Sequence, residues 1–225
     1  QCARCIRPSS WRRPSSRPGV RNGAACAALA FSAAALSLLA AANERLPGDL
    51  WLARRIQDLP GWFEPVAELV RGFTSTELVV PAGLFLVAVL ALQRRWQAWI
   101  AYTAMLLVLP PAQAAIKDMV DRPRPDPALL ERRATFTSES FPSGHVLGGT
   151  AVVVLLSILV ASRAGPGRAR AATWAVALAA CGVNGLANVY EGVHWPSDVL
   201  GGYLWAGVFL CAATLAARYR ASSTG

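Results

Sequence analysis

Residues 141–162 read FPSGHVLGGTAVVVLLSILVAS. A polar pentapeptide carrying a histidine passes directly into residues 146–162, which hold no charge. A hydrocarbon layer takes about 17–25 apolar helical residues to cross, so this run predicts a membrane span. The pattern repeats on both sides. Residues 24–42 form an uncharged run of 19 residues, and further spans are predicted at 77–93, 96–116, 171–189 and 199–217. Pro81 lies near the start of its span, where it is tolerated, and Pro110-Pro111 is expected to kink the last turns of the third.

Composition agrees. The 225 residues are 54% hydrophobic and 16% charged, against about 25% charged in a soluble domain. The expected fold is all-α, a six-transmembrane helical bundle. A short amphipathic segment around Asp49–Ile56, with Trp51 and then Trp62 and Phe63, is expected at the membrane interface between helices 1 and 2. The domain reading is a basic tail at 1–23, one membrane-embedded domain at 24–217 and a basic tail at 218–225. A secretory signal peptide competes for the first run, but its apolar core exceeds the usual 7–15 residues or so, which favours a retained helix. Trp96, Trp99, Trp195 and Tyr219 lie near span ends, as an aromatic belt requires.

The net charge of +9 does not point to nucleic acid, since the positive residues lie in tails and short loops rather than in a patch or stripe. With the N-terminus inside, the inner segments carry thirteen basic residues and no acidic one, while the outer segments carry nine basic and all thirteen acidic residues. That bias predicts both termini in the cytoplasm. Of five cysteines, Cys2 and Cys5 form a lone CxxC, a weak signal, and Cys26, Cys181 and Cys211 read as small hydrophobes within apolar helices. Nothing in the pattern demands a disulfide.

The only two histidines and the only lysine fall in three polar clusters at span ends. These are Lys117 to Pro125 with Arg122 and Arg124, Phe141 to His145, and Asn188 to Asp198 with His194. The predicted topology puts all three on the outer face. Phosphoryl transfer needs neutralised oxygens, a nucleophile and a proton donor. Lys117 and Arg124 supply charge, with Arg122 a further candidate, and arginine can grip two oxygens together. Ser143 offers a hydroxyl, Gly144 lets backbone N–H groups approach an anion, and the start of the fourth span favours negative charge. His194 can attack phosphorus, Asp198 can hold its tautomer, and His145 can protonate the leaving group. The bland readings are structural histidines beside turns, or metal ligands; the latter lacks an HExxH or a Cys/His cluster. Arg132 and Arg133 read as a solvated face, or the loop 126–141 as a lid or substrate rim.

Taken together the clusters resemble the type 2 phosphatidic acid phosphatase family, similar at its site to vanadium haloperoxidases. Lys117-x6-Arg124-Pro125, Pro142-Ser143-Gly144-His145 and His194-x3-Asp198 match that family's three motifs, over roughly residues 76–217. The resemblance implies a six-helix membrane phosphatase without a metal or other cofactor. It implies His194 as nucleophile, Asp198 as its partner, His145 as acid, and Lys117, Arg124, Ser143 and Gly144 as phosphate binders. The third motif departs from the family's Ser-Arg-x5-His, because Ala187 and Asn188 stand there. Asn188 can donate hydrogen bonds to phosphate but brings no charge. Either Arg122 or another arginine compensates, or the enzyme is slow or altered in substrate, or the chain is an inactive relative that binds a lipid headgroup. The expectation is a multi-pass plasma or inner membrane phosphatase acting on a lipid phosphate or diphosphate at the extracytoplasmic face, with the bilayer as partner and no nucleic acid. The resemblance suggests phosphatidic acid, phosphatidylglycerophosphate or undecaprenyl diphosphate as substrates. The rival chemistry is a lipid phosphotransferase.

Overall fold

A computed structural model describes residues 18–134 and 136–223. The Cys2/Cys5 pair and residues 1–17 of the basic tail at 1–23 lie outside the described residues, as does the end of the tail at 218–225. The described residues form eight helices and no strand: α1 Pro18–Ala42, α2 Asp49–Gln57, α3 Phe63–Phe73, α4 Thr76–Leu92, α5 Trp96–Val120, α6 Gly144–Ala161, α7 Arg168–Tyr190 and α8 Pro196–Ser223. Five of them, α1 and α5–α8, are long and apolar enough to cross a membrane. The sixth expected span is a bent pair. α4 has 17 residues, and α3 meets it at 53° across a break of two residues. Ser75 is extended at that break (φ −66, ψ 155). The amphipathic segment proves to be two helices, α2 and α3, which pack their buried faces against α7 and the start of α8.

The bundle is apolar outside as well as inside. Leu178 is 76% exposed, Leu107 70% and Phe85 67%, a surface suited to lipid tails rather than water. Inside, Leu86, Leu109, Leu147, Leu155 and Leu210 join α4, α5, α6 and α8 in one core. α8 is the hub, packing on α1, α5 and α6. Two glycine pairs, one on α8 and one on α6, allow close approaches. A Cβ at Gly201 would lie 2.3 Å from the Phe141 ring, and one at Gly149 would lie 2.7 Å from Thr74 Cγ2. Any larger residue there would push the site segments off the helices that hold them.

Two expectations are corrected. Cys26 on α1 and Cys211 on α8 form a disulfide, with Cα atoms 5.8 Å apart. The first and last helices lie side by side, a neighbourhood that a sequence separation of 185 conceals from a reading of spacing. Trp195 is not a belt residue. It is 3% exposed and packs with Phe63, Tyr190 and Val146. Trp96, 53% exposed, and Tyr219, 77% exposed, do lie at the surface.

Candidate active site

Each site residue is delivered by a helix end. α5 runs past its two prolines, which puts Lys117 in its last turn, and stops where Asp121 takes a left-handed conformation (φ 46). Arg122-Pro-Arg124-Pro then cannot continue a helix. Ser143 is extended and caps α6, so Gly144 and His145 occupy its first turn. α7 ends at Tyr190, Gly192 turns the chain with φ 67, and His194 follows just before α8. Pro196 opens α8 at the first helical position, where a missing N–H costs nothing. Asp198, in the same turn, accepts the Trp195 backbone N–H at 2.7 Å, which satisfies a donor the helix start leaves open. Backbone bonds tie the segments into one layer: Ser140 N–H to Arg122 O at 2.8 Å, Ser143 N–H to Asp198 O at 3.1 Å, and Arg133 N–H to Glu191 O at 3.0 Å.

Five of the eight residues singled out above line one cavity of about 240 Å³: Lys117, Arg124, Gly144, His145 and His194. Asp198 lies directly behind, fully buried. Ser143 is also fully buried, and its hydroxyl makes no hydrogen bond among the described residues. His194 Nδ1 lies 3.7 Å from Asp198 Oδ2 and 3.5 Å from Ser140 Oγ, while Nε2 lies 3.4 Å from Arg124 Nη1. Burial pushes the His194 imidazole down to about 4, with Asp198 opposing and the Arg124 charge adding to the fall. At neutral pH the ring is therefore uncharged. Placing its N–H on the Asp198 side leaves the Nε2 lone pair for the cavity. Burial likewise lowers Arg124 to about 10, with Asp198 opposing and Arg132 and Arg71 adding to the fall. It stays a cation. Its N–H groups reach Ser138 O at 2.8 Å, Val193 O at 2.8 Å, Ser138 Oγ at 3.2 Å and Glu139 O at 3.3 Å. Lys117 donates to Glu139 O.

Two candidates fall outside this arrangement. Asn188 is fully buried but donates to Asn184 O at 2.8 Å and to Asn184 Oδ1 at 3.0 Å. Its amide thus serves its own helix and does not line the cavity. Arg122 does not line this cavity either. It is 1% exposed and donates to Asp198 Oδ1 at 2.6 Å, Ser197 Oγ at 2.7 Å and Asp49 Oδ2 at 2.9 Å. Asp49 in turn accepts from Ser197 N–H at 3.0 Å and Ser197 Oγ at 2.6 Å. Asp198 also accepts from Ser140 Oγ at 2.5 Å. Sequence reasoning missed Asp49, Ser140 and Ser197. The one available signal was an acidic residue opening an amphipathic helix, which ordinarily means only a favourable helix dipole.

Described residues of the loop 126–141 border the cavity. Phe136 and Ser138 line the cavity, and the Phe136 ring packs edge-on against His145 at 5.9 Å. Arg133 is not merely solvated, since it donates to Tyr190 O at 2.8 Å and pairs with Glu131 at 2.7 Å.

The sequence profile of the PAP2 superfamily matches residues 98–222. The chain belongs to the PAP2 superfamily. Among relatives, the decaprenylphosphoryl-5-phosphoribose phosphatase of Mycobacterium tuberculosis is 34% identical over 117 residues, 52% of this chain and 59% of that protein. Phosphatidylglycerophosphatase B of Bacillus subtilis is 34% identical over 89 residues, 39% of this chain and 42% of that protein. The chain thus spans less than two thirds of either relative. A crystal structure of a transmembrane PAP2-type phosphatidylglycerolphosphate phosphatase from Bacillus subtilis superposes with a TM-score of 0.63 over 82% of this chain and 92% of that one, at 22% identity. The fold is therefore that of a transmembrane PAP2 protein. All three clusters fall inside the PAP2 match, whereas Asp49 and the whole of α1–α4 precede it.

Proposed function

We propose that the protein is an integral membrane phosphatase that removes phosphate from a lipid phosphate or diphosphate through a phosphohistidine. The observation that carries the reading is one cavity in which an uncharged, buried His194 faces Lys117, Arg124 and His145. His194 Nε2 attacks phosphorus as the P–O bond to the lipid breaks, and the departing oxygen takes a proton from His145, which enters this step as an imidazolium and leaves it neutral. Water then attacks the phosphohistidine and gives a proton to His145. The P–N bond breaks, and inorganic phosphate leaves. Asp198, itself held by Arg122 and Ser140, stabilises the imidazolium formed in the first step. Lys117 and Arg124 balance the phosphoryl charge, and the Ser143 hydroxyl has a donor to spare for it.

A second, apolar cavity of about 340 Å³ adjoins the first and shares Val79, Val80, Leu109, Pro110 and Gly148 with it. A headgroup in the polar cavity with its chain between α4, α5 and α6 fits a lipid substrate. The relatives' names point the same way, toward phosphate esters on lipid-linked headgroups. The opposite end of the bundle carries Arg94, Arg95, Arg163 and Arg168, so the positive-inside bias supports an extracytoplasmic site. Purified protein should release phosphate from phosphatidic acid or phosphatidylglycerophosphate in detergent with chelator present. His194→Ala should lose turnover by roughly 10⁴-fold or more; a variant that still turns over removes His194 as nucleophile.

A further inference from the structure

Arg71 lies on α3, outside all three clusters and before the matched PAP2 segment. Its guanidinium carbon sits 5.3 Å from the centre of the Phe136 ring. The same ring carries the Arg124 guanidinium at 4.6 Å and His145 at 5.9 Å, and Phe136 lines the cavity. Thr74, three residues after Arg71, lines it too. We propose that Arg71 is a further phosphate-binding residue of this site, supplying with Lys117 and Arg124 the positive charge that Asn188 cannot. The inference rests on the phosphatase reading above.

Donors and charges support it. Arg124 and Lys117 already spend N–H groups on backbone carbonyls. Arg122 is neutralised by Asp49 and Asp198. Arg71 gives a single N–H, from Nη1, to Glu191 Oε2 at 2.8 Å, and its buried Nε has no hydrogen-bond partner among the described residues. An arginine fork has five N–H groups, so most of this one stays available. Its side chain is 15% exposed and that of Glu191 3%, which makes Glu191 an anchor that fixes where the fork points. Arg71 also contributes to the lowering of Arg124, so the two cations share one field, a repulsion that a dianionic phosphate in the cavity relieves. Arg132 instead lines two neighbouring cavities that share Arg124 with this one.

The bland alternative is that the Arg71–Glu191 pair only staples α3 to α7. Kinetics on dioctanoyl phosphatidic acid in detergent micelles, with inorganic phosphate as competitive inhibitor, separate the two. Arg71→Gln should lower kcat/KM by roughly 100-fold and raise the inhibition constant of inorganic phosphate by about 10-fold. Added millimolar guanidinium should restore turnover to this variant and not stimulate wild type, and Arg71→Lys should fall between. A staple predicts lost thermal stability with KM and phosphate inhibition unchanged and no guanidinium effect; that result, in a wild-type background that turns over, overturns the proposal. If Arg71→Gln does not fold, wild-type protein carries the test. Inorganic phosphate should protect Arg71 from phenylglyoxal in step with Arg124, and an Arg71 rate indifferent to phosphate overturns the proposal. A wild type that releases no phosphate overturns the phosphatase reading instead.

Discussion

The two parts of the chain contribute unlike things to one site. Residues 98–222, matched by the PAP2 profile, bring both imidazoles, Lys117, Arg124 and Asp198 on four helix ends. The part before residue 98 brings no residue of the three motifs, yet it closes the site from behind and beside. Asp49 of α2 completes the Arg122–Asp198 pair, Gln57 at the end of α2 bridges the Glu131 and Tyr190 carbonyls, and Arg71 of α3 reaches Glu191. The groups proposed to react thus sit in compact motifs, while the groups that hold them in place come singly from helices that otherwise look like interfacial ballast. Chemistry demands fixed residue types at fixed spacing; support demands only a charge at the right point in space, and many sequences can provide it.

That division can be broken by experiment. The largest effect is expected at Arg122. Arg122→Met strands two buried carboxylates, and removing one member of a buried ionic set costs about 3–5 kcal/mol. Thermal unfolding in detergent should show it; a normal melting temperature with raised KM would return Arg122 to the phosphate-binding group. Asp49→Asn is milder, about 1–3 kcal/mol, because the amide oxygen still accepts from Ser197. Turnover should fall with little change in KM, since the substitution acts through Arg122 and Asp198. If KM moves and kcat does not, α2 touches substrate directly.

Protonation gives a smaller, graded effect. His194 is held near 4 rather than at its ordinary 6.5, so the neutral form that the proposed attack requires persists above pH 4 or so. Below that point kcat/KM should drop about tenfold per pH unit from this group. An acid limb from this group centred near 6.5 would mean that its burial is relieved when substrate binds. Asn188→Ala should matter least. Its donors serve only Asn184, so about 1 kcal/mol of stability is at stake and KM should hold; a large rise in KM would put the amide back on the phosphate.

The spans were legible because lipid tolerates few charges, and any long charge-free run announces itself. The three clusters were legible because each packs several reactive residue types into a few positions at a span end. Asp49, Ser140 and Arg71 were not, since each is one ordinary residue whose meaning depends on a partner far along the chain. Asn188 misled for a related reason. It occupies the right place in the motif, but which way an amide turns depends on its neighbour Asn184, and spacing carries no such information. Trp195 misled because span ends look alike in sequence, whether they face lipid or the inside of a turn.

The bond between Cys26 and Cys211 closes nearly the whole polypeptide into a ring. A protease that nicks any loop within that ring, the rim at 126–141 included, would leave both pieces joined, and they would run as one species on a gel until a thiol was added.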